Sequence, residues 1–411
     1  MGNGALLAGV QSTLNSSQDQ ACNWNPVLGG QLGQLLVDYS VSASDPKTVV
    51  ALTSRFQAGA WIHRLSLSSD YGATWLEAGD PLPLALAYTV DIDPNDPTHI
   101  LATGIDSTQQ GVLVSSTAQG TGWVSHDIPN TNSNEPPYLA ALDPKDSKKI
   151  YVRTDAWPEI DGNLVGNDAL IVTTDGGITW NEVIRQQAKL LGFALSPSGE
   201  KLLLGYGDPK LDPYVVDDTV MGIYASRTNS FDFAKIYDGA VTCLSWTASG
   251  AYACTSQALT SSAVGFNADP DAMIDSGAAS FSSLLDLTRV SGPLGCCGGS
   301  AAAVCAAPWA TACTIFGACG NTAEACSGDA GSILHPADSG VPLDASAAAG
   351  GTSSGAAGTA TGGGAVTTGN AHSSGCGCRT ASPRHPWLTA LALSFATLLA
   401  ATRRRRETNH S

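Results

Sequence analysis

Short apolar runs recur through the first 290 residues in a fixed order, each bounded by turn residues. Thr89-Val90-Asp91-Ile92-Asp93-Pro94 is followed by His99-Ile100-Leu101-Ala102-Thr103. Tyr138-Leu139-Ala140-Ala141-Leu142-Asp143-Pro144 leads to Lys149-Ile150-Tyr151-Val152-Arg153, and Gly192-Phe193-Ala194-Leu195-Ser196-Pro197 to Lys201-Leu202-Leu203-Leu204-Gly205. Each pair reads as two strands joined by an Asp/Ser-Pro turn. A third run then enters a turn that ends on an aromatic residue, as in Gly111-Val112-Leu113-Val114-Ser115-Ser116 ahead of Gly120-Thr121-Gly122-Trp123. The unit is strand, turn, strand, variable loop, strand, turn, strand, with a period of about fifty residues. A simple antiparallel sandwich predicts no fixed phase between the two kinds of turn.

The second turn is nearly identical in two copies. Ser68-Ser69-Asp70-Tyr71-Gly72-Ala73-Thr74-Trp75 is matched by Thr173-Thr174-Asp175-Gly176-Gly177-Ile178-Thr179-Trp180, 105 positions on. Asp accepts hydrogen bonds from backbone N–H groups just ahead of it, Gly supplies positive φ, Thr favours the returning strand, and Trp brings a large apolar surface. The copy between them, ending at Trp123, has lost the Asp. Another stands at Ser17-Gln18-Asp19-Gln20-Ala21-Cys22-Asn23-Trp24. Weaker ones run from Gly222–Ser226 to Phe233 and from Val264–Phe266 to Phe281.

This octapeptide resembles the Asp-box, or BNR, repeat of β-propellers, and the resemblance implies an all-β propeller of four-stranded blades. Five complete blades are expected at about 33–82, 84–130, 136–187, 189–238 and 240–294, with residues 2–28 as the outer half of another. That gives about six blades, the first incomplete, over a propeller domain of residues 1–294. In such repeats Ser68, Asp70, Gly72, Thr74 and Trp75, with Thr173, Asp175, Gly177, Thr179 and Trp180, are structural turn residues and carry no catalysis.

Charge narrows the partners. The 411 residues carry a formal net charge of −16, and the few basic residues form no stripe in the repeats, which argues against nucleic acid. Eleven cysteines without a zinc-binding spacing point instead to disulfides and an oxidising compartment. Cys243 and Cys254 flank a Ser249-Gly250 turn and are placed to face each other across a hairpin. Six more crowd residues 295–328, a Cys-rich segment whose pairing the spacing leaves open.

Residues 329–375 are Gly, Ala, Ser and Thr with almost no large apolar side chain, and are expected to act as a flexible tether. Residues 376–411 resemble the MYXO-CTERM sorting signal: Cys376 and Cys378, an uncharged run over 386–402, then Arg403, Arg404, Arg405 and Arg406. Seventeen uncharged residues span about 25 Å as a transmembrane helix, and the arginines would hold its end in the cytoplasm. The resemblance implies a sorting protease acting near the cysteines and delivery to the cell surface or outer membrane. Met1-Gly2-Asn3-Gly4-Ala5 offers no signal peptide, so a truncation or a late start is expected.

Asp-boxes occur in sialidases, whose pattern is three carboxylate-clamping arginines, a Tyr–Glu pair, an Asp and an Arg-Ile-Pro-like motif. None of Arg55, Arg64, Arg153, Arg185, Arg227 and Arg289 has those surroundings, and the motif is missing. Asp-box xyloglucanases place two carboxylates between two propellers, and one propeller fits here. The loops joining second and third strands hold the best ligand candidates: Arg153, Asp155, Trp157, Glu159, Asp161 and Asp168, and one blade on Asp208, Asp212 and Tyr214. An aromatic among acids suits a carbohydrate platform or a calcium site, although no calcium-loop spacing is complete and no other cofactor is implied. The expected function is an exported, surface-anchored, non-catalytic propeller that binds a protein or glycan. The alternatives are a glycoside hydrolase with carboxylates near the propeller axis, and an assembly chaperone of the Asp-box type.

Overall fold

A computed structural model describes residues 5–10, 12–17, 24–29, 34–156, 159–160, 163–208, 214–255 and 263–286. The chain is an all-β propeller of six blades. Blade 1 comprises β1 (Leu6–Val10), β2 (Thr13–Ser17) and β3 (Asn25–Gly29). Blade 2 comprises β4 (Gln34–Val41), β5 (Val49–Gln57), β6 (Ala60–Ser68) and β7 (Leu76–Ala78). Blade 3 runs through β8 (Leu86–Ile92), β9 (Ile100–Ile105), β10 (Gln110–Ser116) and β11 (Val124–Asn132). Blade 4 is β12 (Pro137–Leu142), β13 (Ile150–Thr154), β16 (Asp168–Thr173) and β17 (Asn181–Gln186), with β14 (Glu159–Ile160) and β15 (Asn163–Val165) inserted after β13. In blade 5, β18 (Lys189–Leu195) and β19 (Lys201–Gly207) precede the insertion β20 (Tyr214–Val215), then β21 (Gly222–Arg227) and β22 (Ala234–Asp238). Blade 6 holds β23 (Val241–Thr247), β24 (Gly250–Thr255), β25 (Ala263–Asn267), the helix α1 (Pro270–Ser276) and β26 (Ser282–Asp286).

Within each blade neighbouring strands pair antiparallel in sequence order, and the first strands β4, β8, β12, β18 and β23 abut one another from blade to blade. Between blades lie four apolar clusters. Val50, Leu52 and Leu65 of blade 2 meet Val90, Ile92 and Ala102 of blade 3. Leu101, Leu113 and Ile128 meet Ile150, Val152 and Ile171. Tyr151, Leu170 and Val172 meet Leu202, Leu204 and Tyr206, and Leu203, Ile223 and Ala225 meet Val241, Ala251 and Ala253. The central strands β5, β9, β16 and β19 are buried on both sides, so they read as continuous apolar runs, while outer strands such as β7 and β11 are largely exposed.

Every first strand of blades 2 to 6 carries a bulge, at Val37, Tyr88, Ala140, Leu191 and Thr242. One unpaired residue bends the strand and re-aims its neighbours. Asp38, just past the first bulge, accepts the Val90 N–H (3.0 Å) from the next blade, and Thr89, past the second, accepts the Leu139 N–H (2.9 Å). Asp91 accepts from Ser40 Oγ at 2.6 Å across the same seam as Asp38.

The two octapeptides form the same turn, bond for bond. Asp70 Oδ1 accepts from Ser68 Oγ (2.8 Å) and the Thr74 N–H (2.8 Å), and Oδ2 from Thr74 Oγ1 (2.6 Å). Asp175 makes the equivalent bonds to Thr173 and Thr179 at 2.7, 2.8 and 2.6 Å. The indoles of Trp75 and Trp180 donate to Gly72 O and Gly177 O at 3.0 Å. Gly177 has φ of +99°, and a Cβ there would meet Leu113 Cδ2 at 3.0 Å, so the position excludes a side chain on both counts. In blade 3, where Ala118 stands in place of the Asp, Asp80 of blade 2 supplies bonds to that turn: its carboxylate accepts the Gly122 N–H (3.1 Å) and its carbonyl the Trp123 indole (3.2 Å).

Two features depart from the sequence expectation. Blade 1 has three strands where half a blade was expected, because Thr13–Ser17, polar by sequence, pairs on both edges and buries Leu14. The insertions after β13 and β19 also join: β14, β15 and β20 form a small sheet of their own, with β15 and β20 parallel. The expected transmembrane helix at 386–402, the sorting cysteines and arginines, and the Cys-rich and low-complexity segments lie outside the described residues. Among the described residues no helix is long and apolar enough to cross a membrane.

Candidate functional site

Connections from first to second strands and from third to fourth emerge on one face of the ring, the turn face. The remaining connections, with the small sheet, emerge on the other, the loop face. Tyr138 and Arg153 are paired opposite each other in β12 and β13, near the loop-face ends of both strands. The Arg153 guanidinium lies over the Tyr138 ring, 5.0 Å from its centroid, and Nη1 donates to Leu190 O at 3.0 Å. Tyr88, turned out by the bulge in β8, sets its ring 5.1 Å from that of Tyr138. Both phenols are held in the protonated, hydrogen-donating form: burial first, and then the charge of Asp155 among other neighbours, pushes Tyr88 up to about 12 and Tyr138 in the same direction.

Beneath this stack is a buried ion cluster. Lys189 Nζ contacts Asp168 Oδ1 at 2.6 Å and the carbonyl of Ala156 at 3.1 Å, and pairs with Asp155. Asp168 is fully buried and also accepts the N–H groups of Ala156 and Leu190, both at 2.8 Å. Burial raises its carboxyl to about 6, with Lys189 opposing the rise. A carboxyl so enclosed, with three donors on it, holds the ends of β13, β16 and β18 together and has no room for substrate. The cluster is therefore scaffolding, and the half-buried aromatic stack above it is the part that meets solvent.

Carboxyls also gather on the first strands. Burial raises Asp38 to about 6 and raises Asp91 as well, with each within reach of another acid's charge. Their oxygens are engaged by Val90, Tyr39, Ser40 and Ile92, so this pair bonds the seam between blades 2 and 3. A groove of about 310 Å³ opens on the turn face, lined in part by Asp93, Asp96, His99 and Lys148. Its His99–Asp93 contact (2.9 Å) is repeated one blade on by Lys149–Asp143 (3.8 Å), which marks both as parts of the repeated turn. Among the described residues no group of three or more His, Cys, Asp or Glu is arranged to hold a metal ion.

Of the ligand candidates read from sequence, Arg153 and Asp155 lie in the stack and its base. The strands bearing Glu159 and Tyr214 share the small sheet, through β15. Trp157, Asp161 and Asp212 lie outside the described residues, and Asp208 ends the described part of its loop. Sequence reasoning passed over Tyr88, Tyr138 and Lys189. The two tyrosines stand fifty positions apart in the same phase of the repeat, a signal that aligning the blades by their turns brings out. Cys243 and Cys254 are a directly opposed pair in β23 and β24 and are disulfide-bonded.

No protein-family model matches the chain, and no curated protein sequence matches it. Solved structures with similar folds include a GH74 enzyme from Niastella koreensis (14% identity, TM-score 0.49, covering 69% of this chain and 44% of that one). The GH74 xyloglucanase of Xanthomonas campestris matches at 16% identity and TM-score 0.49, over 73% of this chain and 44% of that one. A putative TolB from Agrobacterium tumefaciens matches at 11% identity and TM-score 0.42, over 68% and 90%. The chain thus spans less than half the length of the two GH74 structures. These are likenesses of fold.

Proposed function

We propose that this chain is a non-catalytic binding propeller that holds a glycan on its loop face. The observation that carries the reading is the stack of Arg153, Tyr138 and Tyr88, set on a rigid ion-paired base. Aromatic faces bind the apolar faces of sugar rings, while phenol and guanidinium donors reach ring hydroxyls. Against hydrolysis stands the state of the nearby acids: Asp168 is enclosed and Asp155 is tied to Lys189. Glycoside hydrolysis asks for two carboxyls about 5–10 Å apart that both meet substrate.

The finer reading is an exported, surface-anchored protein built on Asp-box turns. It is supported by the matching bonds at Asp70 and Asp175, by the Cys243–Cys254 disulfide, which suits an oxidising compartment, and by the resemblance of residues 376–411 to a sorting signal. A polysaccharide panel tests the central claim. Binding without release of reducing sugar is expected, and Tyr138→Ala with Tyr88→Ala should weaken it about tenfold, or ~1.4 kcal/mol. Release of sugar in proportion to enzyme would overturn the non-catalytic reading.

A further inference from the structure

Arg153 is a half-buried cation without an anionic partner among the described residues. Arg64 pairs with Glu77, Arg185 with Glu135 and Glu182, and Arg227 with Asp275, while Arg55, which has no ion pair among the described residues, is exposed near the end of β5. Among the described residues Arg153 donates only to a carbonyl, through Nη1, and its guanidinium lies against Tyr138. Asp155, the nearest acid in sequence, is engaged by Lys189. In a chain with a net charge of −16, a guanidinium that keeps free donors while acids close by are paired elsewhere is set apart for something external.

The geometry points to a carboxylate-bearing sugar, a uronate within a glycan, as the ligand of this stack, with Arg153 as the carboxylate's partner. This rests on the glycan reading above and deepens it. A planar guanidinium with donors to spare matches a carboxylate in a way a point charge does not. The phenols of Tyr88 and Tyr138 remain protonated and add no negative charge beside an anion, and the acid whose charge reaches them, Asp155, is offset by Lys189. The Tyr88 and Tyr138 rings pack on one another, 5.1 Å between centroids, and the joint aromatic surface favours a sugar ring over the flexible side chain of an acidic peptide. The chain's overall negative field opposes approach, but at physiological salt it is screened beyond about 8 Å, so contact at Arg153 decides the outcome.

The test titrates the full chain at physiological salt with trigalacturonate, with its methyl ester and with neutral cellotriose, by calorimetry. The acid should bind at least tenfold more tightly than the ester. Arg153→Gln should remove that difference, and Arg153→Lys should restore only part of it, with the melting temperature of both variants near that of the unmutated chain. Because acid and ester are compared on the unmutated chain, a misfolded variant leaves the test intact. Equal binding of acid and ester, or preference for cellotriose, overturns the inference while the glycan reading stands. Failure of every sugar, neutral panel included, overturns both.

Discussion

Replacing Asp38 with asparagine isolates the cost of burying a charge between two blades. Asp38 sits just past the bulge of β4, half-buried, with Oδ2 on the Val90 N–H and Oδ1 on the Tyr39 N–H. Burial raises its carboxyl from 3.8 to about 6, with those two backbone bonds opposing the rise and Asp91 adding to it. The folded chain therefore holds this proton more tightly than the unfolded chain. Stability contributed at this site is full below pH 3.8 and falls as pH rises to about 6. At about 1.4 kcal/mol per pH unit the loss reaches about 3 kcal/mol, and solvent at the half-buried group reduces it to about 1–3 kcal/mol. Asparagine carries no charge to bury, but its amide nitrogen cannot accept, so one of the two backbone bonds is lost at a cost of about 1 kcal/mol at every pH. In urea unfolding from pH 4 to 8, Asp38→Asn should start about 1 kcal/mol below the unmutated chain near pH 4 and gain about 1–3 kcal/mol on it by pH 7 and above. A stability difference between variant and parent that stays constant from pH 4 to pH 8 would refute the argument.

Two further substitutions probe the base of the site and the last blade. Lys189→Met strips the cation from the enclosed Asp168 and should cost about 3–5 kcal/mol in urea unfolding, with Asp168→Asn in the same chain recovering part of it. Cys254→Ser opens a disulfide of sequence separation 11 and should lower stability by about 2–3 kcal/mol under oxidising conditions, read from the shift in the urea midpoint.

The propeller was legible because two turn types, Asp/Ser-Pro and Trp-ending, mark opposite halves of each blade and keep phase with one another. What escaped notice lacks such a mark. A bulge adds one residue and leaves no trace in composition, so the turning of Tyr88 toward Tyr138 could not be read from either segment alone. Strands of two and three residues, such as Glu159–Ile160 and Asn163–Val165, are too short to show a period. Blade 1 was undercounted because Thr13–Ser17 is polar in sequence yet alternates in burial. The Lys189–Asp168 pair joins residues 21 apart on different blades, an adjacency that arises only when β16 and β18 are packed.

The parallel pairing of β15 with β20 carries a consequence for how this protein can change. Loops on separate blades ordinarily vary one at a time, each free to lengthen or exchange without regard to the other. Here Leu164 faces Tyr214 and Val165 faces Val215, so the two insertions form one inheritable unit. A graft of either alone would leave an unmatched strand, while a graft of both would carry its own scaffold. Variation in ligand preference on this face should therefore come by paired replacement of the two insertions.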